Sequence, residues 1–335
     1  MLAAAMLAGL FNVLKGLNPY LEPSAEFYWL FTYGHGFIKR GLIGTLVHPL
    51  VAAFSFERLK PVIVGAHVVV CLGIIFMLQV LFRTVITRQS QKDIRLTLVL
   101  AFLCLMCSPL MPVLAHDTGH VDAYLMALAL GGFSLILRER HGAAMLITII
   151  GPLIHEAFIF LWAPVAVMLL WSSATAEKRR TAKLALVILP IVCVAAVAFF
   201  HNRDALLLAM NAWPMDDFIK SGHLRYTFDA TLLSRMEHMR LYEYRGHAAN
   251  LAVSLLYFLL PAVLLLWTAL FSFRYKWDDR WTTPTVAAIA TLVPVSILLV
   301  AWDLSRFLSW MIVASAIVLI GVSSPTFVTI HPDHA

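Results

Sequence analysis

The sequence predicts an all-α integral membrane protein, from its composition, its long apolar runs and the confinement of its charges to the connections between them. Hydrophobic residues make up 61% of the 335 residues and charged residues 13%, whereas soluble domains carry about 25% charged residues. The mean hydropathy is +0.84. The formal net charge of +6 is accounted for largely by basic loops, which report topology, so no nucleic-acid partner is expected.

The apolar runs predict about ten membrane helices, since a helix needs about 20 residues to cross a bilayer. A stretch at 143–171 is too long for one span and is interrupted at Pro152 and at His155-Glu156. We therefore predict two short helices that meet at His155-Glu156. The other runs lie at about 1–15, 61–82, 96–115, 121–137, 183–200, 249–271, 283–301 and 306–322.

Four short connections are rich in lysine and arginine, and the positive-inside rule predicts that they are cytoplasmic. Both termini are then cytoplasmic, and residues 1–335 form a single polytopic membrane domain. Two long loops, 16–60 and 201–248, fall on the outer side. The basic residues are Arg83, Arg88, Lys92, Arg95, Arg138, Arg140, Lys178, Arg179, Arg180, Lys183, Arg274, Lys276 and Arg280.

The two outer loops have different predicted structures. A moderately apolar segment in the first, Leu42 to Phe56, is predicted to be an amphipathic helix at the outer interface, because a span there would reverse every later loop. Loop 201–248 has mixed charges, Trp213 and several tyrosines, which favours an ordered lid over the site. A solvated connecting loop is the alternative.

Four polar clusters share the outer side in this topology. Ionisable groups at membrane depth are costly and usually line a functional cavity, so the clusters predict one shared site. The clusters are residues 34–40, residues 116–122, His155-Glu156 and residues 303–306.

The cluster at 116–122 contains two aspartates and two histidines and no basic residue. His116, Asp117 and His120 would share a face if this loop were helical. Such a group suits a general base, with Asp117 and Asp122 as the candidates, or a metal site. Alternatively, Asp122 marks a solvated helix N-terminus, where the helix dipole favours a negative charge.

Glu156 lies in the middle of an apolar stretch, so its carboxyl must be paired, protonated or turned towards water. An ion pair that serves packing is the structural alternative. The segment is not the metalloprotease pattern His-Glu-x-x-His, because Ile159 occupies the position of the second histidine. No metal-ligand set is assigned from the sequence.

Basic residues flank the site in two places. Lys39 and Arg40 follow a glycine-rich turn that includes His35, and Arg306 lies three residues after Asp303. Guanidinium and ammonium groups beside exposed backbone amides suit a phosphate or diphosphate. Alternatively, Lys39 and Arg40 extend to lipid phosphates, and Asp303 caps a helix and pairs with Arg306.

The order of these parts resembles the polytopic C-type (GT-C) glycosyltransferases of bacterial envelopes, with a long first outer loop, many helices and carboxylates at outer helix ends. The motifs are similar to those of uncharacterised membrane proteins of polysaccharide gene clusters. Unlike the C-type pattern, the first outer loop has separated acids, Glu22 and Glu26. The motifs are Gly36-Phe37-Ile38-Lys39-Arg40-Gly41-Leu42-Ile43-Gly44, Asp117-x-Gly-His-x-Asp122, His155-Glu156 and Asp303-x-x-Arg306.

The resemblance implies a glycosyltransferase in the bacterial inner membrane that uses a polyprenyl-phosphate-linked sugar on the outer face, in envelope or exopolysaccharide assembly. Asp117 or Asp122 would be the base, and Glu156 with His155 would orient it or hold a divalent ion. Mg²⁺ or Mn²⁺ would be optional, because basic residues can replace it. The substrate-binding residues would be His35, Lys39, Arg40, His120, His155, Asp303 and Arg306.

A proton-coupled transporter or flippase is the alternative function. Buried His, Asp and Glu side chains can relay protons, and broken helices such as the one within 143–171 mark transporter sites. The acids lie at outer helix ends rather than at the membrane midplane, and the two halves show no internal repeat. These two observations favour the transferase.

Overall fold

The computed structural model describes residues 1–21, 25–35, 40–171, 180–200, 248–272, 282–296 and 304–323, together with 204 and 208. Within these ranges the chain is helical and contains no strand, so the predicted all-α class is confirmed for them. A single 3₁₀ turn, Tyr33–His35, lies between the second and third helices. The helices are α1 (Leu2–Gly16), α2 (Glu26–Leu30), α3 (Leu42–Phe54), α4 (Phe56–Arg88), α5 (Lys92–Cys107), α6 (Leu110–His116), α7 (Asp122–Leu137), α8 (His141–Ile154), α9 (Phe158–Trp171), α10 (Arg180–Phe200), α11 (Ala248–Ser272), α12 (Thr282–Ser296) and α13 (Leu304–Ser323).

The predicted interruption at His155-Glu156 is confirmed, whereas Pro152 lies inside α8, so the predicted break there is wrong. α8 ends at Ile154, and His155 has extended backbone angles that end the helix. One further interruption was not predicted: the apolar run at 96–115 divides into α5 and α6. The chain leaves α5 at Ser108, and Pro109 immediately precedes α6, since proline is favoured at the start of a helix but not in its interior.

Two helical stretches among the described residues are long and apolar enough to cross a membrane, by length and composition alone. They are Phe56–Arg88, which is α4, and Lys92–His116, which is α5 and α6 taken together. Nine shorter apolar helices of 10–17 residues accompany them. Large exposed apolar side chains such as Phe76, Leu146 and Leu260 form a surface that suits lipid better than water. The count of ten spans stays a prediction.

Contacts between helices place the turns at 117–121 and 155–157 at the end of the bundle opposite the basic connection between α4 and α5. The side-chain amide of Gln89 donates to the carbonyl of Ser323 at 2.7 Å, so α4 and α13 end together, next to the basic connection between α4 and α5. α13 also contacts α6, which leads to the opposite end at His116. α7 starts at that end and runs away from it, and α8 runs back to it. The turns at 117–121 and 155–157 therefore lie there together.

α13 forms the interior of the bundle. All of its residues from 307 to 323 are buried, and it contacts α4, α6, α7, α9, α11 and α12. A helix that is apolar on every side must be enclosed, and here protein encloses it. The hydroxyls of Ser315 and Ser323 donate to carbonyls one turn earlier in the same helix, so their burial leaves no hydroxyl donor unsatisfied.

α3 lies on the outside of the bundle with one face on the protein. Gly44 packs so closely on Phe31 that a Cβ at this position would overlap the Phe31 carbonyl. Leu46, Leu50 and Phe54 are exposed. A helix with one packed face and one exposed apolar face agrees with the predicted interfacial helix, although its position relative to a membrane stays a prediction.

We expect Gly44→Ala to destabilise the protein by about 1–3 kcal/mol, because the added methyl group must push α3 away from Phe31. Gly65→Ala is the matched control: Gly65 is also helical, and its added Cβ meets no atom within 4 Å. Thermal unfolding of the purified variants should show a lower midpoint for Gly44→Ala only. Equal midpoints for the two variants would contradict the close packing of α3.

Candidate functional site

A short aromatic segment of the first long loop lies at the centre of the site. Phe27, Tyr28, Trp29 and Phe31 are all buried although they come from the long segment between α1 and α3. The ring centroid of Tyr28 is 5.9 Å from that of His120 and 6.0 Å from that of His155. The aromatic segment therefore lies between the turn at 117–121 and the turn at 155–157.

An ion pair connects this loop to the turn between α8 and α9. The Arg40 Nη2 group donates to Glu156 Oε1 at 2.7 Å, and Arg40 Nε donates to Glu156 Oε2 at 3.2 Å. The Arg40 guanidinium carbon also lies 5.9 Å from the ring centroids of both Phe27 and Tyr28. The cation thus has a two-pronged carboxylate contact and two aromatic neighbours, which together favour its charged form.

Arg40 determines the protonation state of Glu156. Burial raises the pKa of this carboxyl, but the charge and hydrogen bonds of Arg40 outweigh burial and hold the pKa well below its usual range. Glu156 is therefore ionised at neutral pH. Of the three states that the sequence left open for this side chain, the structure shows the paired one.

His155 closes the turn that presents Glu156. The Ala157 amide donates to His155 Nδ1 at 3.0 Å, so this nitrogen is an acceptor and carries no proton. Glu156 Oε2 lies 3.6 Å from the same nitrogen, which is too far for a hydrogen bond. The histidine therefore shapes the turn through the backbone.

The segment between α6 and α7 is a turn, so the condition under which His116, Asp117 and His120 would share a helical face is not met. Gly119 has φ of +89°, and a Cβ there would overlap the Leu21 side chain. This left-handed conformation favours glycine and is incompatible with a continuous helix.

The two aspartates of this turn have different environments. Asp117 ends α6, its side chain is 23% exposed, and its Oδ1 lies 3.3 Å from Nδ1 of the exposed His116. Asp122 begins α7 and is 3% exposed, so it is not a solvated residue at a helix N-terminus. Asp117 is the aspartate that a substrate could reach.

Side chains from two other segments fix the turn at 117–121. The Trp29 indole donates to the Gly119 carbonyl at 2.8 Å, and the Gly119 amide donates to Nδ1 of the buried His67 at 3.5 Å. Nε2 of His67 donates to the Leu114 carbonyl at 2.7 Å, which defines the tautomer of this ring. Both sides of Gly119 are therefore bonded to side chains of other segments.

The sequence interpretation did not single out Tyr28, Trp29 or His67. The signals were present: four of the five residues at 27–31 are aromatic, and His67 is a lone histidine inside the run 61–82. Glu26 of the same loop was noted only as an acid. In the structure its Oε1 lies 2.9 Å from Lys60 Nζ, so it ties α2 to α4.

The structure thus brings together Arg40, His120, His155 and Glu156 around Tyr28, and the clusters that contain these four residues do converge. Lys39 and Asp303 lie outside the described residues, as does nearly all of the predicted lid at 201–248. His35 and Arg306 are described by their backbone alone. Within the described part of the chain, no group of three or more His, Cys, Asp or Glu side chains could hold a metal ion.

The helical fold with apolar exposed surfaces, and with charged side chains at the ends of its helices, is that of a membrane protein. The chain belongs to the family described as uncharacterised membrane protein Rv1490, whose model matches residues 2–214. This range contains Arg40, the turn at 117–121 and Glu156, but not Arg306. Neither a curated protein nor a solved structure matches the chain.

We expect Trp29→Phe to lower the stability by at least about 1 kcal/mol, because the hydrogen bond to the Gly119 carbonyl is lost and the smaller ring leaves a buried gap. Trp267→Phe, an identical change at an exposed site on α11, is the control. Thermal unfolding of both variants would measure the difference. A Trp29→Phe midpoint no lower than that of the control would contradict the role of Trp29 in holding the turn.

Proposed function

We propose that this protein is a GT-C-type membrane glycosyltransferase that uses a polyprenyl-phosphate-linked sugar at the outer face of the bacterial inner membrane. Its role would be in envelope or exopolysaccharide assembly. The observation that carries this proposal is a partly exposed carboxylate, Asp117, on a fixed turn at the same end of the bundle as a buried guanidinium, Arg40.

The chemistry of inverting sugar transfer requires these two kinds of group. A carboxylate removes the proton from the acceptor hydroxyl while cations stabilise the negative charge that develops on the departing phosphate. Of the three candidate carboxylates, Asp122 is buried, and Glu156 lies against Arg40, on the side of the departing phosphate rather than of the acceptor. Asp117 is therefore the base that we propose.

Arg40 is the cation proposed for the donor phosphate, because its guanidinium can hold two phosphate oxygens at once. Lys39 and Arg306 would add charge, and His35, His120 and Asp303 would contact the sugar or phosphate. Mg²⁺ or Mn²⁺ remains optional in this proposal, since cationic side chains can supply the same stabilisation.

The membrane orientation is part of the proposal. The basic residues at 83–95 and at 138–140 lie at the end of the bundle opposite the site, so the positive-inside rule directs the site outwards. The chain would cross the inner membrane several times, with both termini in the cytoplasm. An outer site is where lipid-linked sugars for envelope polymers would be accessible.

A proton-coupled transporter or flippase is the second candidate, supported by the interruption between α8 and α9 with Glu156 inside it. The ion pair with Arg40 makes Glu156 a poor proton carrier, because its lowered pKa keeps the carboxylate ionised at neutral pH. The environment of Glu156 therefore favours the transferase over the proton-coupled transporter.

Asp117→Asn should lower sugar transfer at least about 100-fold, because the amide cannot accept the proton of the acceptor hydroxyl. The assay uses purified protein with a polyprenyl-linked donor and an acceptor and measures the new glycosidic product. Asp93→Asn makes the same change at an exposed site on the opposite end and should have wild-type activity.

Unchanged transfer by Asp117→Asn would eliminate Asp117 as the base. The absence of product with every donor, together with uptake into vesicles that depends on a proton gradient, would favour the transporter.

The proposed orientation predicts which positions a membrane-impermeant thiol reagent can reach in intact cells. In a background whose four native cysteines are replaced by serine, His116→Cys should be labelled, because this side chain is 65% exposed at the site end. Ser90→Cys, also exposed but in the basic connection after α4, should be labelled only in opened cells. The reverse pattern would invert the topology.

A further inference from the structure

We propose that Glu156 occupies an anion site on Arg40 in the free protein, and that the phosphate of a membrane lipid displaces Glu156 from this site on binding. The inference rests on the proposed function and specifies how its lipid-linked substrate is held. Arg40 would bind the phosphate, and the apolar faces of α3 and α8 would bind the tail.

The contact that Glu156 makes is one that a phosphate can reproduce. Arg40 holds the two carboxylate oxygens through Nη2 and Nε, and the same fork can hold two oxygens of a phosphate. The rings of Phe27 and Tyr28 lie near the guanidinium and do not depend on which anion is bound. The cation can therefore stay in place while its anion changes.

Exchange of the anion requires that Glu156 is more exposed than Arg40, and this is the case. The Arg40 side chain is 9% exposed, whereas that of Glu156 is 27% exposed. The anion is thus the more accessible partner of the pair. Loss of an anion from beside a buried cation is unfavourable, so the arrival of another anion favours the departure of Glu156.

Two exposed apolar stripes begin beside this pair. α3 starts two residues after Arg40 and exposes Leu46 and Leu50, and α8 ends two residues before Glu156 and exposes Leu146 and Ile150. Each stripe has the four-residue spacing that keeps side chains on one helix face, and α3 contacts α8. An anion attached to a long hydrocarbon tail matches a charged site at the end of such surfaces.

Free inorganic phosphate could satisfy Arg40 but would leave the stripes unused. A lipid-linked phosphate uses both features, and this is the occupant to which we commit. Displacement would also release the Glu156 carboxylate next to the bound headgroup. Binding of the lipid would therefore change the charge that the site presents to the second substrate.

The test measures binding by calorimetry with purified full-length protein in dodecyl maltoside micelles, which contain no phosphate. The probe is farnesyl phosphate. Farnesol, which has the tail without the phosphate, and inorganic phosphate, which has no tail, are the controls. Glu156→Gln should bind farnesyl phosphate about tenfold more tightly than wild type, because the competing carboxylate is gone. Arg40→Gln should bind it no better than farnesol, and the double variant should behave like Arg40→Gln.

Two further variants guard against general effects of charge and folding. Glu57→Gln removes the same charge from an exposed residue near Lys60 and should leave the affinity unchanged. Glu156→Asp keeps the acid but shortens its reach, so it should also bind farnesyl phosphate more tightly than wild type does. It provides the test if Glu156→Gln does not fold.

Unchanged or weaker binding by the folded Glu156 variants would overturn the exchange. Equal affinity for inorganic phosphate and farnesyl phosphate would overturn the lipid as the occupant. The binding assay contains no sugar donor, so it separates this inference from the proposed function. Exchange without any glycosidic product would refute the transferase alone, and sugar transfer without exchange would refute the inference alone.

Discussion

The ion pair between Arg40 and Glu156 is the constraint on which the arrangement of this site depends. It joins side chains that are 116 residues apart in sequence, and a buried guanidinium needs such a partner. Arg40 has φ of +64°, an unfavourable conformation for a residue with a side chain, and such a conformation persists only where its surroundings enforce it. Bonding to Glu156 and the contact with Phe27 and Tyr28 supply that enforcement.

A second connection makes one site out of three segments. The hydrogen bond from Trp29 to Gly119 and the bonds of His67 hold the turn at 117–121 against the same aromatic segment. Arg40 holds the turn at 155–157. Both turns are therefore positioned by the first loop, next to its aromatic segment at 27–31. The partly exposed Asp117 is thereby kept at a fixed place relative to the buried cation, as the proposed sugar transfer would require.

The helices were predictable because hydropathy and interruption by charge or proline are properties of local sequence. The break at His155-Glu156 was predicted for this reason, and the sharing of one end by the polar clusters followed from loop charges. The partner of Glu156 was not predictable, since a pairing across the fold depends on packing. The turn at 117–121 depends on the left-handed backbone of Gly119, which residue spacing alone does not determine. Tyr28, Trp29 and His67 gain their roles only from contacts that form in the fold.

Charge reversal across the ion pair tests this account most directly. Thermal unfolding would be measured for Arg40→Glu, for Glu156→Arg and for the variant that carries both changes. The account predicts that each single change lowers the midpoint strongly, since two like charges then face each other, and that the double change recovers most of the loss. A double variant as unstable as the sum of the single changes would show that Arg40 and Glu156 do not hold the site together.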